Sequence, residues 1–69
     1  MRDDQYLKQL GATIRKVRKQ RGISIERLAE RMDFDRSNLS RVELGQKNAR
    51  ILTLKLIAEH LDVDLKDLL

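Results

Sequence analysis

Sixty-nine residues with no cysteine, no proline and only two aromatics, Tyr6 and Phe34, suffice for one domain with a modest core. They exclude a disulfide framework or a thiolate metal site, and they disfavour a β-sandwich or barrel. The net charge is +4 and unevenly spread: residues 15–50 hold eleven Lys and Arg against five Asp and Glu, whereas the flanks hold four against six, a pattern that fits either a focused anionic partner or a solvated surface.

The predicted elements are all helical, with no linker, repeat or low-complexity segment between them. Leu7, Leu10, Ile14 and Val17 recur at helical spacing and define a first helix over about residues 4–21. Gly22, following a basic last turn, supplies its left-handed cap. Ser24 is a good N-cap for a second helix at about 25–32, with Glu26 in its first turn and Leu28, Ala29 and Met32 facing inward. Asp33 and Phe34 interrupt the pattern, Asp35 caps a third helix at about 36–44, and Gly45 ends it. Gln46–Arg50 reads as a polar loop. A fourth helix at about 51–61 carries Leu54, Ile57, Ala58 and Leu61 toward the core, and Asp64 caps a fifth over 65–69. The fold class expected is therefore an all-α bundle of five short helices, one domain spanning residues 1–69.

The pair of helices joined across residues 33–35 is the informative feature. Ala29 lies where two helices crossing near a right angle leave room for a methyl group only. Leu28, Met32, Phe34, Leu39 and Val42 fall at offsets that bury one side of both helices, leaving Arg36, Ser37, Ser40 and Arg41 open to solvent. That is the geometry of a helix-turn-helix over about 25–44, whose second helix projects into the major groove of DNA.

With these residues in place the chain resembles the phage repressor and Cro family, the XRE-type helix-turn-helix, and is similar to small restriction-modification controller proteins. The matching residues are Gly11, Ile14 and Arg18, then Gly22-Ile23-Ser24, Leu28-Ala29, and the stretch SNLSRVELG (37–45) with its Ser-x-hydrophobic-Glu-x-Gly ending. Thr53-Leu54, Ile57-Ala58, Leu61-Asp62-Val63 and Asp64-Leu65 extend the match almost to the end of the chain. The resemblance implies a lambda-repressor-like fold and a sequence-specific DNA-binding transcriptional regulator. It also implies an ion pair between Arg18 and Glu43 that locks the first helix to the end of the third, so both are read as structural. Two positions depart from the family pattern. Asp33 stands where a glycine is common, in a left-handed turn that aspartate tolerates. Ile25 stands where a glutamine is common, leaving Ser24 and the backbone amides as the phosphate anchors there.

The candidate DNA-contacting residues are Ser24, Arg36, Ser37, Asn38, Ser40, Arg41, Lys47, Asn48 and Arg50. Arg36 and Ser37 open the third helix, and an arginine there offers a fork matching guanine O6 and N7. Arg41 lies one turn further along and reads a base or grips a phosphate; Asn38 and Ser40 suit backbone or water-mediated contacts. In the resembling fold the loop carrying Lys47, Asn48 and Arg50 follows the sugar-phosphate backbone. The competing account is a set of ordinary polar residues on a solvated helix and loop. Arg15, Lys16, Lys19 and Arg21 are read as mostly solvated, with one or two near the edge of the DNA.

Helix four carries a second apolar stripe, Leu52 and Leu56, and with Val63 and Leu69 nearby this is surplus apolar surface for so small a domain. It predicts a homodimer through helix 51–61 and the C-terminal helix, against the alternative of a broad core stripe with some exposed leucines. His60, the only histidine, has no cysteine or second histidine with which to share a metal. No Ser/His/Asp set, glycine-rich phosphate loop or catalytic carboxylate pair is present, so neither enzyme activity nor a metal, cofactor or small-molecule ligand is expected. No apolar run reaches the roughly 18–20 residues of a membrane span, and Met1-Arg2-Asp3-Asp4 opens without a secretory signal, so the protein is expected in the cytoplasm. The partner expected is double-stranded operator DNA, with repression by promoter occupancy. The alternatives are a protein-interaction module that keeps the fold without specific DNA binding, and an autoregulating antitoxin.

Overall fold

The computed structural model describes residues 3–69; the opening Met1-Arg2 lies outside the described residues. Four α-helices follow in order, α1 (Asp3–Gln20), α2 (Ile25–Arg31), α3 (Arg36–Glu43) and α4 (Ile51–Leu61), and then a 3-10 turn at Leu65–Asp67. Helix ends lie within about a residue of the sequence expectation, because local chemistry fixes them. Asp3 and Asp4 in the first turn of α1, with Arg18 and Lys19 in its last, complement the helix dipole. Gly22 follows with φ +68°. The Ser24 hydroxyl accepts from the Arg27 N–H at 3.1 Å to cap α2, and Asp35 Oδ2 accepts from the Asn38 N–H at 3.0 Å to cap α3. Asp33 takes the left-handed conformation (φ 51°), as the turn between the two helices requires.

The fifth helix expected over 65–69 is instead a three-residue 3-10 turn. Its backbone bonds run from Asp67 N to Asp64 O and from Leu68 N to Leu65 O, each spanning three residues. These are the tighter bonds of a 3-10 turn, with no i→i−4 ladder. The Asp67 carboxylate accepts from the Asp64 N–H at 3.1 Å and holds this turn closed, and Leu68 is buried beneath it.

Every element contributes to one core. Ile14 of α1, Leu28 of α2, Leu39 of α3, Ile57 and Leu61 of α4, and Leu68 are its largest fully buried side chains. α3 packs against both α1 and α2, and α4 packs against α2 and the 3-10 turn. Ala29, buried in α2, keeps the small side chain that close helix crossing demands. Gly11 has the same purpose on α1. A Cβ there would collide with the carbonyl oxygens of Val42 and Glu43, so α1 and the end of α3 meet backbone to backbone. Gly45 turns the chain out of α3 with φ +73°, close against Lys8. Two apolar residues expected at the surface, Leu56 and Val63, are half-buried against the core. Tyr6 is half-exposed beside a shallow cleft with Leu10 and Leu68.

The resemblance to repressors implied a lock between Arg18 and Glu43, and the structure contains it. Arg18 Nε donates to Glu43 Oε2 at 2.8 Å, Nη2 to Oε1 at 3.0 Å, and Nη1 to the Ile23 carbonyl at 2.8 Å. Both side chains are buried. Among the described residues no buried side-chain nitrogen or oxygen lacks a hydrogen-bond partner, and no helix is long and apolar enough to cross a membrane.

Replacing Glu43 with Ala strands a buried guanidinium, which in other buried pairs costs about 3–5 kcal/mol. Domains of this size hold roughly 0.05–0.15 kcal/mol of stability per residue, so the loss is a large share of the total and urea titration of Glu43→Ala should show a midpoint far below that of the unaltered protein. A midpoint close to that of the unaltered protein would contradict the lock.

Candidate nucleic-acid interface

Residues of an α-helix step round its axis by about 100°, and α3 uses this to divide its sides sharply. Leu39, Val42 and Glu43 turn inward and are buried. Arg36, Ser37 and Arg41 are exposed, and Asn38 and Ser40 are half-buried at the margins. Capping by Asp35 fixes the first turn of α3, so Arg36 stands at a rigid helix opening rather than on a loop.

Beyond α3 the chain turns back on itself. Gln46 N donates to the Arg41 carbonyl at 2.9 Å, and Ala49 packs on the core. These two attachments hold up the exposed Lys47 and Asn48 between them, with the exposed Arg50 just beyond. A shallow cleft runs from α3 across this loop, lined by Phe34, Asn38, Val42, Lys47, Asn48, Ala49, Arg50 and Thr53. Four of the nine sequence candidates, Asn38, Lys47, Asn48 and Arg50, thus share one concave surface. Ser24 lies apart at the head of α2, its hydroxyl oxygen engaged as a cap but exposed. Ile25 is half-buried against the core, so that residue adds nothing polar to the surface at this point.

Arg36 is not an isolated cation. Its Nε donates to Glu26 Oε2 at 3.2 Å, across the turn of the motif, with side-chain exposures of 57% and 63%. The Glu26 carboxyl is held below its ordinary value first by a hydrogen bond with its own backbone, which outweighs the opposing effect of desolvation, and then by the charge and hydrogen bond of Arg36. Glu26 is therefore ionised at neutral pH. The sequence gives no sign of this pair: ten positions separate the partners, and only the crossing of α2 and α3 brings them together.

The remaining cations disperse. Arg18 is buried in the lock. Arg15, Lys16 and Lys19 flank a separate groove with Ala12, Glu43 and the exposed Leu44. Arg21 borders Asp62, Asp64 and Asp67. The basic middle of the sequence thus resolves into a compact set at α3 and its following loop and several cations placed elsewhere. Sequence reasoning also missed Thr53, which lines the cleft from the first turn of α4.

This arrangement has close parallels in solved structures. The restriction-modification controller protein C.AhdI from Aeromonas hydrophila superposes with a TM-score of 0.88 at 33% identity, over 91% of this chain and 96% of that one. An HTH_3 family transcriptional regulator from Vibrio cholerae gives 0.88 at 25% identity, over 97% of this chain and 38% of that one. The restriction-modification controller protein C.Esp1396I, solved as a tetramer in complex with its natural 35 base-pair operator, gives 0.77 at 28% identity, over 90% of this chain and 92% of that one. No match was found among curated protein sequences. The family model for the helix-turn-helix proteins called HTH_3 matches residues 14–68, from the buried face of α1 to the last core leucine, and the chain belongs to that family.

Proposed function

We propose that this DNA-binding regulator is a repressor that acts as a homodimer and lays its two copies of α3 in the major groove of an operator. The whole chain, residues 1–69, works as one helix-turn-helix domain in the cytoplasm, by binding rather than by catalysis. The observation that carries this is the outward side of α3, where Arg36, Ser37 and Arg41 stand clear of a helix whose other side is clamped to α1 and α2. Arg36 reads guanine; Ser37, Asn38 and Ser40 supply shorter polar contacts, and Arg41 reaches a base or a phosphate one turn on. Lys47, Asn48, Arg50 and Ser24 hold the sugar-phosphate backbone on either side.

Support for the dimer is the apolar surface at the start of α4 and the end of the chain. Ile51, Leu52 and Leu69 are 58%, 74% and 63% exposed, on a domain with little area to spare. A two-fold dimer of this kind reads two half-sites when its two copies of α3 lie about 34–36 Å apart, one turn of DNA. The similar controller protein C.Esp1396I, a tetramer on its operator, supports assembly of several copies on DNA.

Selection of bound sites from random duplexes tests it. Enrichment of a site with two inverted halves about 10–10.5 base pairs apart, centre to centre, is expected; failure to enrich any sequence would overturn it. Within such a site, Arg36→Ala should lose about 1–3 kcal/mol of discrimination at one base position per half, measured by competition against single-base variants. Equal loss at every position would contradict base reading. Lys47→Ala should weaken binding to all duplexes alike and reduce the slope of log affinity against log salt by about 0.9, whereas a sequence-dependent loss would argue against a phosphate contact. Leu52→Lys should convert the dimer to a monomer in sedimentation equilibrium, with the circular-dichroism spectrum unchanged; an unaltered mass would remove this face from the interface.

A further inference from the structure

The pair between Glu26 and Arg36 is left unexplained by folding and by phosphate binding. An ion pair with both side chains more than half exposed contributes little to stability. A carboxylate beside the recognition helix also opposes binding to a polyanion. What the contact does fix is the orientation of one guanidinium. An arginine offers two kinds of bidentate edge, one made of Nε with an Nη and one made of the two Nη groups. Glu26 occupies Nε of Arg36, and the Nη groups have no hydrogen-bond partner among the described residues.

We propose that Glu26 is a positioning and specificity-determining residue, which holds Arg36 through Nε so that its two Nη groups face outward as a fork for the O6 and N7 atoms of a guanine. The proposal rests on the base-reading role of Arg36 given above. Three physical consequences follow from the geometry. The long arginine side chain is partly ordered before binding, so less freedom is lost on contact. The edge that includes Nε is closed to a phosphate, and the ionised carboxylate repels any phosphate that approaches it. An adenine at the same place meets the fork with its N6 amino group, a donor facing donors, and the held arginine cannot swing away to a phosphate instead. Glu26 thus lowers affinity for DNA at large and raises the preference for guanine at one position.

An exposed carboxyl is ionised throughout the neutral range, and the lowered proton affinity of Glu26 extends that toward lower pH, so the contact is charged. Glu26→Gln retains shape and removes the charge, and at so exposed a position it leaves the fold intact, as an unchanged urea midpoint would verify.

The test measures affinity for duplexes carrying guanine, 7-deazaguanine or adenine at the position whose preference Arg36→Ala removes, for the unaltered protein, Glu26→Gln, Arg36→Ala and the double variant. Glu26→Gln should lower the guanine-over-adenine ratio about 5–10-fold, a sizeable part of what one bidentate contact supplies. It should also shrink the penalty for 7-deazaguanine, while binding to duplexes without the site stays equal or tightens. In the Arg36→Ala background it should change neither ratio. A ratio within about twofold of the unaltered protein overturns the proposal, since a true fork-holder moves discrimination by at least part of a bidentate contact. So does an equal loss in the Arg36→Ala background, which would make Glu26 a reader in its own right. If Arg36→Ala leaves every base preference intact, the base-reading role of Arg36 falls first and the proposal falls with it. That result is distinct from a Glu26 failure against a working Arg36.

Discussion

The guanidinium of Arg18 and the carboxylate of Glu43 are both out of water in a chain of 69 residues. Such a pair is tolerable only when the geometry is good and the remaining donors are used. Here the contact is bidentate and the third guanidinium nitrogen reaches the Ile23 carbonyl, so one side chain ties together the end of α1, the turn into α2 and the end of α3. Gly11 brings the backbones of α1 and α3 together on the same side. The direction of α3 is therefore fixed at its far end by charge and at its near end by the Asp35 cap. An interface built on a helix held at both ends meets its partner already ordered.

α2 and α3, of seven and eight residues, are too short to persist as isolated helices in water. They exist because Leu28, Ala29, Leu39 and Val42 are buried between their neighbours. Burial consumes one side of α3 and thereby defines the other. The side chains that remain outside, Arg36, Ser37 and Arg41, are presented by a helix that is not free to rotate. The loop that follows gains its shape from two small attachments, the Gln46 backbone bond and the Ala49 methyl. Polar residues at its tip can then stand out without the loop collapsing.

How far the sequence reveals this depends on the range of the physics involved. Caps and turns are short-range, so Ser24, Asp35, Gly22 and Gly45 are all readable from neighbours in the chain, whereas the left-handed Asp33 entered by resemblance. Periodicity gives α4 its bounds and the inward stripe of α1. The Arg18–Glu43 pair is 25 positions apart and entered by resemblance, not by pattern. Relations set only by helix crossing are not readable. Nothing in the spacing of Glu26 and Arg36 marks them as partners, and nothing separates Leu52, which is exposed, from Leu56, which packs against the core. The C-terminal segment misleads for another reason: its leucine spacing suits a helix, but spacing alone does not distinguish an α-helix from the 3-10 turn that the Asp64–Asp67 contact closes. Charge density in sequence likewise does not locate the cations, because Arg15, Lys16, Lys19 and Arg21 lie in grooves of their own, apart from the cleft at α3.

The central claim is that α3 reads base edges from the major groove. Methylation interference on a selected operator addresses it directly, because a methyl group on guanine N7 lies in the major groove and one on adenine N3 lies in the minor groove. The account predicts that methylation of one guanine N7 in each half-site abolishes binding while adenine N3 methylation between the halves is tolerated. Interference confined to adenine N3, or none from any guanine N7, would contradict it.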